Sequence, residues 1–256
     1  MGTTMKYVLY SDIHAQIPQL EAVQKAVEKE NADKVIVAGD LIMLGTEPSE
    51  VVENIRALPN TDVISGNLDL WATEKRWETH EPKSPHQAWM FDMAKQTRER
   101  LTKDQLHWLR TLPFSMTYMP EPGHPFLVFH GTPHEIGDEH ALPQRLTDDE
   151  VLAELGSVRA EVMAYGHIHA PSIREVDGMT LVCVAGVGMA WDGDPRPAYA
   201  VVEYLGNGKW RTETKRVEFD YEDQAKLNEN CWIEHGDRIA LMIRTGRFWN
   251  PAHMPH

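Results

Sequence analysis

Apolar positions in this chain alternate between short continuous runs and stretches of helical period. The run "KYVLYS" (residues 6–11) is β-rich and ends at a polar pair, Asp12 and His14. The next stretch, "IPQLEAVQKAVEKE", spaces Leu20, Val23 and Val27 at helical intervals, with Pro18 suited to a first turn. "KVIVAGD" is a second apolar strand that stops at Gly-Asp, "TEPSEVVENIRALP" reads as a helix with Pro59 beyond its end, and "DVISGN" is a third strand stopping at Gly-Asn. This β-α-β-α-β rhythm predicts parallel strands joined by helical crossovers. Ligands of such sheets collect beyond the carboxyl ends of the strands, where all three units carry polar residues.

The rhythm breaks between about residues 70 and 113. "SPHQAWMFDMAKQTRERL" has Ser84 as N-cap and Pro85 at the first helical position, and "TKDQLHWLRTLP" has Thr102 as cap with Leu106 and Leu109 on one face. Two helices inserted over one rim of the sheet are expected, with Trp71, Trp77, Trp89 and Trp108 as packing residues. Strand-like runs then resume at "FLVFHG", "VMAYGH", "MTLVCVAG", "AYAVVEYL" and "KWRTETKRVEFD", the last two joined by a "GNG" turn. They suggest a second, more antiparallel sheet. A helical segment at about 220–250 reads as two terminal helices, and the ending "RFWNPAHMPH" reads as irregular. With neither repeat nor linker, residues 1–256 are expected to form a single α/β domain.

Composition narrows the function classes. Apolar residues at 42% and charged residues at 25% suit a soluble globular domain. The net charge of −14 argues against non-specific nucleic-acid binding, which depends on cations that release counterions. No apolar run approaches the roughly 18 residues of a membrane span, so no membrane association is expected. The start of the chain lacks a signal-peptide core because Asp12 comes too early, and a cytoplasmic location is the default. Cys183 and Cys231 match no zinc spacing and read as buried or half-buried thiols.

The polar residues at the strand ends carry the chemistry: Asp12, His14, Asp40, Asn67, His130, and, within "AYGHIHA", His167 and His169. All offer an imidazole nitrogen, a carboxylate or an amide oxygen, and nearly all sit beside a glycine that permits close backbone approach. On extended backbone, His167 and His169 would point to the same side. Seven donors at one sheet edge suit two divalent ions, and imidazole with carboxylate suits manganese, iron or zinc better than calcium.

The ordered pattern D-x-H, G-D, G-N-x-D, H, G-H-x-H, at Asp12/His14, Asp40, Asn67/Asp69, His130 and His167/His169, resembles the calcineurin-like metallophosphoesterases. "DGDPRPAY" (residues 192–199) is similar to the small bacterial and archaeal phosphodiesterase branch. The resemblance implies a four-layer αββα sandwich of two mixed sheets flanked by helices, with the helical insert over the active-site rim. It implies two divalent metal ions per chain, manganese first, with iron, zinc or nickel as substitutes. Asp12, His14 and His169 would hold one ion, Asn67, His130 and His167 the other, and Asp40 would bridge them. A metal-bridging hydroxide would then attack phosphorus in line. Asp40 and Asn67 are the expected catalytic residues, with Asp69 and His134 as further candidates.

One position departs from the pattern. Where many members carry a histidine thought to protonate the leaving oxygen, this chain has Leu68. His80, His86 and His134 are candidate replacements. Asp69, without that histidine to orient, either supports a metal ligand or caps its turn. Arg145 and Arg196 could meet a phosphate, and Trp191 could stack on an aromatic leaving group. The expected function is hydrolysis of a phosphorylated small molecule or nucleotide, favouring phosphodiesters. The alternatives are a Ser/Thr protein phosphatase, a dinucleoside-polyphosphate hydrolase, or a non-catalytic metal-binding scaffold.

Overall fold

The computed structural model describes residues 3–137 and 139–248. The irregular ending expected at residues 247–256 therefore lies, from residue 249 onward, outside the described residues.

Strand β1 (Met5–Tyr10) is the axis of the first sheet. It pairs in parallel with β2 (Lys34–Val37) and antiparallel with β9 (Ala198–Tyr204); β3 (Thr61–Val63) and β10 (Trp210–Arg216) form the edges, in the order β10-β9-β1-β2-β3. The second sheet runs β4 (Ser115–Tyr118), β5 (Phe126–Phe129), β6 (Val162–Tyr165), β8 (Met179–Cys183), β7 (Ser172–Val176). Both sheets are mixed. The apolar runs are continuous because most central-strand residues are buried on one face or the other. Tyr7 and Leu9 enter the core between the sheets with Phe126, Val128, Val162 and Val182. Val8 and Tyr10 face the opposite way, onto the helices, with Leu20, Val23 and Val51. Each such side chain contributes roughly 1.5–3 kcal/mol by leaving water.

Helices α1 (Ile17–Val27) and α2 (Pro48–Ala57) are the crossovers of the first three strands, and Pro18 does sit in the first turn of α1. On the far side of the second sheet, α7 (Asp148–Leu155) buries Val151 and Leu155 against Phe129, Met163 and Leu181. The result is the expected sandwich of two sheets between helices.

The insert is richer than its sequence suggests. The two expected helices form as α5 (Pro85–Glu99) and α6 (Lys103–Thr111), capped by the Ser84 and Thr102 hydroxyls. They are preceded by α3 (Asn67–Glu74) and the single turn α4 (Arg76–Thr79). Helix α3 starts early because the Asp69 carboxylate accepts from Gly66 N–H at 2.9 Å, and Lys75, in a left-handed conformation, separates it from α4.

The second correction concerns the β9–β10 hairpin, which joins the first sheet. β9 is buried along nearly its whole length, which requires a place inside a sheet, and the register Met5↔Tyr204 to Leu9↔Ala200 sets it beside β1. Strands β4 and β7 escape the sequence pattern because they are short, half-exposed edges. Helix α7 does carry a readable start, Thr147 with Glu150 three residues on, which forms a capping box. The terminal helices α8 (Tyr221–Glu229) and α9 (Gly236–Thr245) pack under α1 and the insert. Cys183 is buried and Cys231 half-buried, both as free thiols. Among the described residues, no helix is long and apolar enough to cross a membrane.

Candidate metal centre

Each expected donor lies on a turn just beyond a strand or at the first residue of a helix. The loops after β1 and β2 are zipped together: Asp12 N–H donates to Gly39 C=O at 3.0 Å, and the Ile13 and His14 N–H groups donate to Asp40 C=O at 2.8 and 3.1 Å. Residues 186–188 close the other side, with Gly188 N–H bonded to Asp12 C=O at 2.8 Å. Five donor residues adopt left-handed backbone: Asp12 (φ 55°), His14 (52°), Asp40 (53°), His167 (67°) and His169 (57°). Non-glycine residues held this way cost on the order of 1–3 kcal/mol each and cluster at functional sites. Two glycines make the close packing possible. A Cβ on Gly66 would lie 2.1 Å from Asp40 Oδ1, and one on Gly166 would lie 2.1 Å from Ser11 Oγ and 2.8 Å from Asp12 Oδ2.

Ligand-type atoms converge in two overlapping groups, Asp12/His14/His169 and Asp12/Asp40/His130, each within 4.8 Å. His169 Nε2 is 3.2 Å from Asp12 Oδ1 and 3.1 Å from His14 Nε2. His130 Nε2 is 3.5 Å from Asp40 Oδ2, which is itself 3.9 Å from His14 Nε2. Asp40 therefore borders both groups, while Asp12 is the residue common to them. Asn67 Oδ1 lies 3.2 Å from His167 Nδ1, and the His167 ring stands edge-on to His130 with centroids 5.4 Å apart.

The two neighbouring histidines do not share a direction. Both are left-handed, so the extended-backbone expectation fails, and they diverge: His169 joins Asp12 and His14, and His167 joins Asn67 and His130.

The donor set fits divalent cations. His130 Nδ1–H donates to Ala38 C=O at 2.7 Å and His169 Nδ1–H to Met189 C=O at 2.8 Å. Rings held this way aim their Nε2 atoms inward, an arrangement typical of metal-ligating histidine. His130 Nε2 is buried with no hydrogen-bond partner. The charge balance also asks for a cation. Burial holds His14 and His167 down to about 4, whereas His130, against its burial, is pushed up to about 10 by Asp40 and Asp12.

Other candidate residues separate into those at the site and those away from it. Asp69 is buried, and its carboxylate accepts from Gly66, Leu41 and Ile42 N–H at 2.9, 2.9 and 3.3 Å. It pins the loop after Asp40 to the start of α3; burial and Asp40 push it up to about 7. His134 is turned away: its Nε2 lies 2.9 Å from Leu155 C=O, satisfying the open end of α7, and it does not line the cleft. Arg196 is likewise elsewhere, paired with Asp194 and Glu218. Trp191 is at the site, but its ring lies 3.7 Å from that of His169 at an interplanar angle of 7°, so one face is already covered by a donor histidine.

Above the cluster opens a cleft of about 1260 Å³. Helices α3–α5 form one wall, and residues including Glu135, His140 and Arg145 form the other. Leu68 lines it, as do His80 and His86. Unforeseen in the sequence are the carbonyls of Ala38 and Met189, which carry no side-chain signal, and the stacking of Trp191.

A family model described as the calcineurin-like phosphoesterase superfamily domain matches residues 5–207. An uncharacterized protein of Methanocaldococcus jannaschii is 25% identical over 251 residues, spanning 90% of this chain and 96% of its own. A metallophosphoesterase from Sphaerobacter thermophilus superposes with a TM-score of 0.71 at 20% identity, covering 94% of this chain and 99% of that one. A hypothetical protein of Pyrococcus horikoshii OT3 superposes with a TM-score of 0.78, also at 20% identity, covering 95% and 99%. The two solved structures share the fold.

Proposed function

Because the chain belongs to the calcineurin-like phosphoesterase superfamily, we propose that it is a dinuclear-metal phosphoester hydrolase favouring phosphodiesters. The observation that carries this reading is the convergence of buried imidazole and carboxylate atoms from four separate loops, after β1 and β2 of one sheet and β5 and β6 of the other, beneath an open cleft. Asp12, His14 and His169 hold one ion, Asn67, His130 and His167 the other, and Asp40 lies between. Manganese is the first choice, with iron, zinc or nickel as substitutes. Bound ions supply Lewis acidity toward a phosphoryl oxygen and a nucleophile near neutral pH. The chain's own part is to fix the donors. The Ala38 and Met189 carbonyls set the tautomers, the 186–188 segment clamps the Asp12 loop, and Leu68 N–H donates to Asp40 Oδ1 at 2.9 Å. The cleft takes a phosphorylated small molecule or nucleotide.

The test is hydrolysis of a chromogenic phosphodiester by chelator-stripped protein with and without added manganese. Turnover should appear only with metal, and metal at 100 times its Kd should add about 2.7 kcal/mol of stability, read as a rise in melting temperature. A melting shift without turnover would favour the scaffold alternative, and no melting shift at all would overturn the metal reading.

A bias toward easily expelled leaving groups follows from Leu68, which is 6% exposed and offers no proton at the cleft. General acid catalysis is worth ~10²–10⁴-fold, roughly 3–5 kcal/mol, and matters most for poor leaving groups. The Leu68→His variant should therefore raise turnover of an alkyl phosphodiester by ~10²-fold while barely changing an aryl one. An unchanged alkyl-to-aryl rate ratio in a folded variant would refute this account of the bias.

A further inference from the structure

The family match ends at residue 207, yet α8, which follows it, reaches back to the donor loops. Gln16, two residues after His14, is fully buried and its carboxamide is fully satisfied. Its Nε2 donates to Leu44 C=O at 3.0 Å and to Asn228 Oδ1 at 3.2 Å. Its Oε1 accepts from Asn228 Nδ2 at 3.0 Å and from Gln224 Nε2. Gln16 and Asn228 thus form a reciprocal amide pair, and the second Asn228 Nδ2 hydrogen goes to Gln224 C=O at 3.0 Å. Exposure is 0%, 1% and 0% at Gln16, Gln224 and Asn228, so water does not compete.

Leu44 closes the loop that begins at Asp40, and Ala15, Met43 and Leu44 all have left-handed φ of 52°, 68° and 57°. One side chain therefore ties together two strained loops, one carrying Asp12 and His14 and the other carrying Asp40. A further bond from the C-terminal region, Trp232 Nε1–H to Thr46 C=O at 3.1 Å, holds the same second loop. Buried polar pairs add little stability over apolar groups of the same shape, so three carboxamides at one contact serve geometry more than stability.

We infer that the Gln16–Asn228 pair is a positioning device through which α8 sets the separation of the His14 and Asp40 loops and so the grip on metal. This rests on the metal reading above. The test compares the full-length chain with its Asn228→Leu and Asn228→Asp variants, and with Leu155→Ala, a core truncation beneath the second sheet. Manganese affinity is measured by chelator competition, alongside the metal-free melting temperature, kcat and KM.

Both Asn228 variants should bind manganese 10–100-fold more weakly, the range seen when outer partners of metal ligands are lost. Their kcat at fixed manganese should fall while KM stays within about threefold, the pattern of a lost transition-state interaction. Leu155→Ala should lower the melting temperature without changing manganese affinity. If Asn228→Leu does not fold, the near-isosteric Asn228→Asp decides. Wild-type affinity in a folded Asn228 variant, or an equal affinity loss in Leu155→Ala, overturns the inference alone. A wild-type chain that takes up no manganese overturns it together with the metal reading.

Discussion

Asp40→Asn is expected to cut manganese-supported hydrolysis of a phosphodiester by on the order of 10³-fold while leaving the chain folded. The two carboxylate oxygens do different work. Oδ1 accepts from Leu68 N–H at 2.9 Å, a bond that an asparagine oxygen keeps, so the loop geometry survives. Oδ2 faces His130 Nε2 at 3.5 Å and His14 Nε2 at 3.9 Å. An amide nitrogen there presents hydrogens instead of lone pairs and removes the negative charge that borders both donor groups. The loss should therefore appear in bound metal, counted by elemental analysis, as well as in kcat. A variant that retains more than a tenth of wild-type turnover would remove Asp40 from the mechanism.

Gly66→Ala should be severely damaging for so small a substitution. Its Cβ would fall 2.1 Å from Asp40 Oδ1 and 2.2 Å from Asp40 N. Neither side can yield. Gly66 N–H is held by the Asp69 carboxylate, and Asp40 C=O is held by two N–H groups of the β1 loop. The backbone at Gly66 is ordinary extended chain, φ −103° and ψ 172°, so the cost is steric rather than conformational. A loss of about 3 kcal/mol or more is expected in a denaturant midpoint, at the upper end for overpacking, together with loss of metal uptake. Gly123→Ala is the contrast. Nothing lies within 4 Å of its Cβ, and only its φ of +89° is unfavourable, at roughly 1–2 kcal/mol. Equal losses from the two would contradict the steric account.

Much of this was readable from residue order. Continuous apolar runs ending in Gly-Asp or Gly-Asn announced strands that stop at polar residues, though the donors come from both sheets and not from the edge of one, and Ser84 and Thr102 announced their helices. What could not be read depended on distant partners. Nothing local says that the β9–β10 hairpin belongs beside β1, because its placement is decided by the register with a strand at the other end of the chain. His134 follows "HG" as a site residue might, but the open carbonyl of Leu155 claims it. The divergence of His167 and His169 turns on two left-handed residues, a conformation uncommon for any residue but glycine. The Gln16–Asn228 pair joins residues 212 positions apart, and neither bears a local sign of the other.

The placement of β1 between β2 and β9 also governs when the cluster can exist during biosynthesis. Met5 must find Tyr204, and the Asp12 loop must find residues 186–188, before the donors can be drawn together. A ribosome-bound chain can zip β1, β2 and β3 early while still lacking His169 and the segment that clamps Asp12. Such distant pairings are slow because loop closure comes before its reward. Completion of the donor cluster is thereby deferred to the last stage of translation or later.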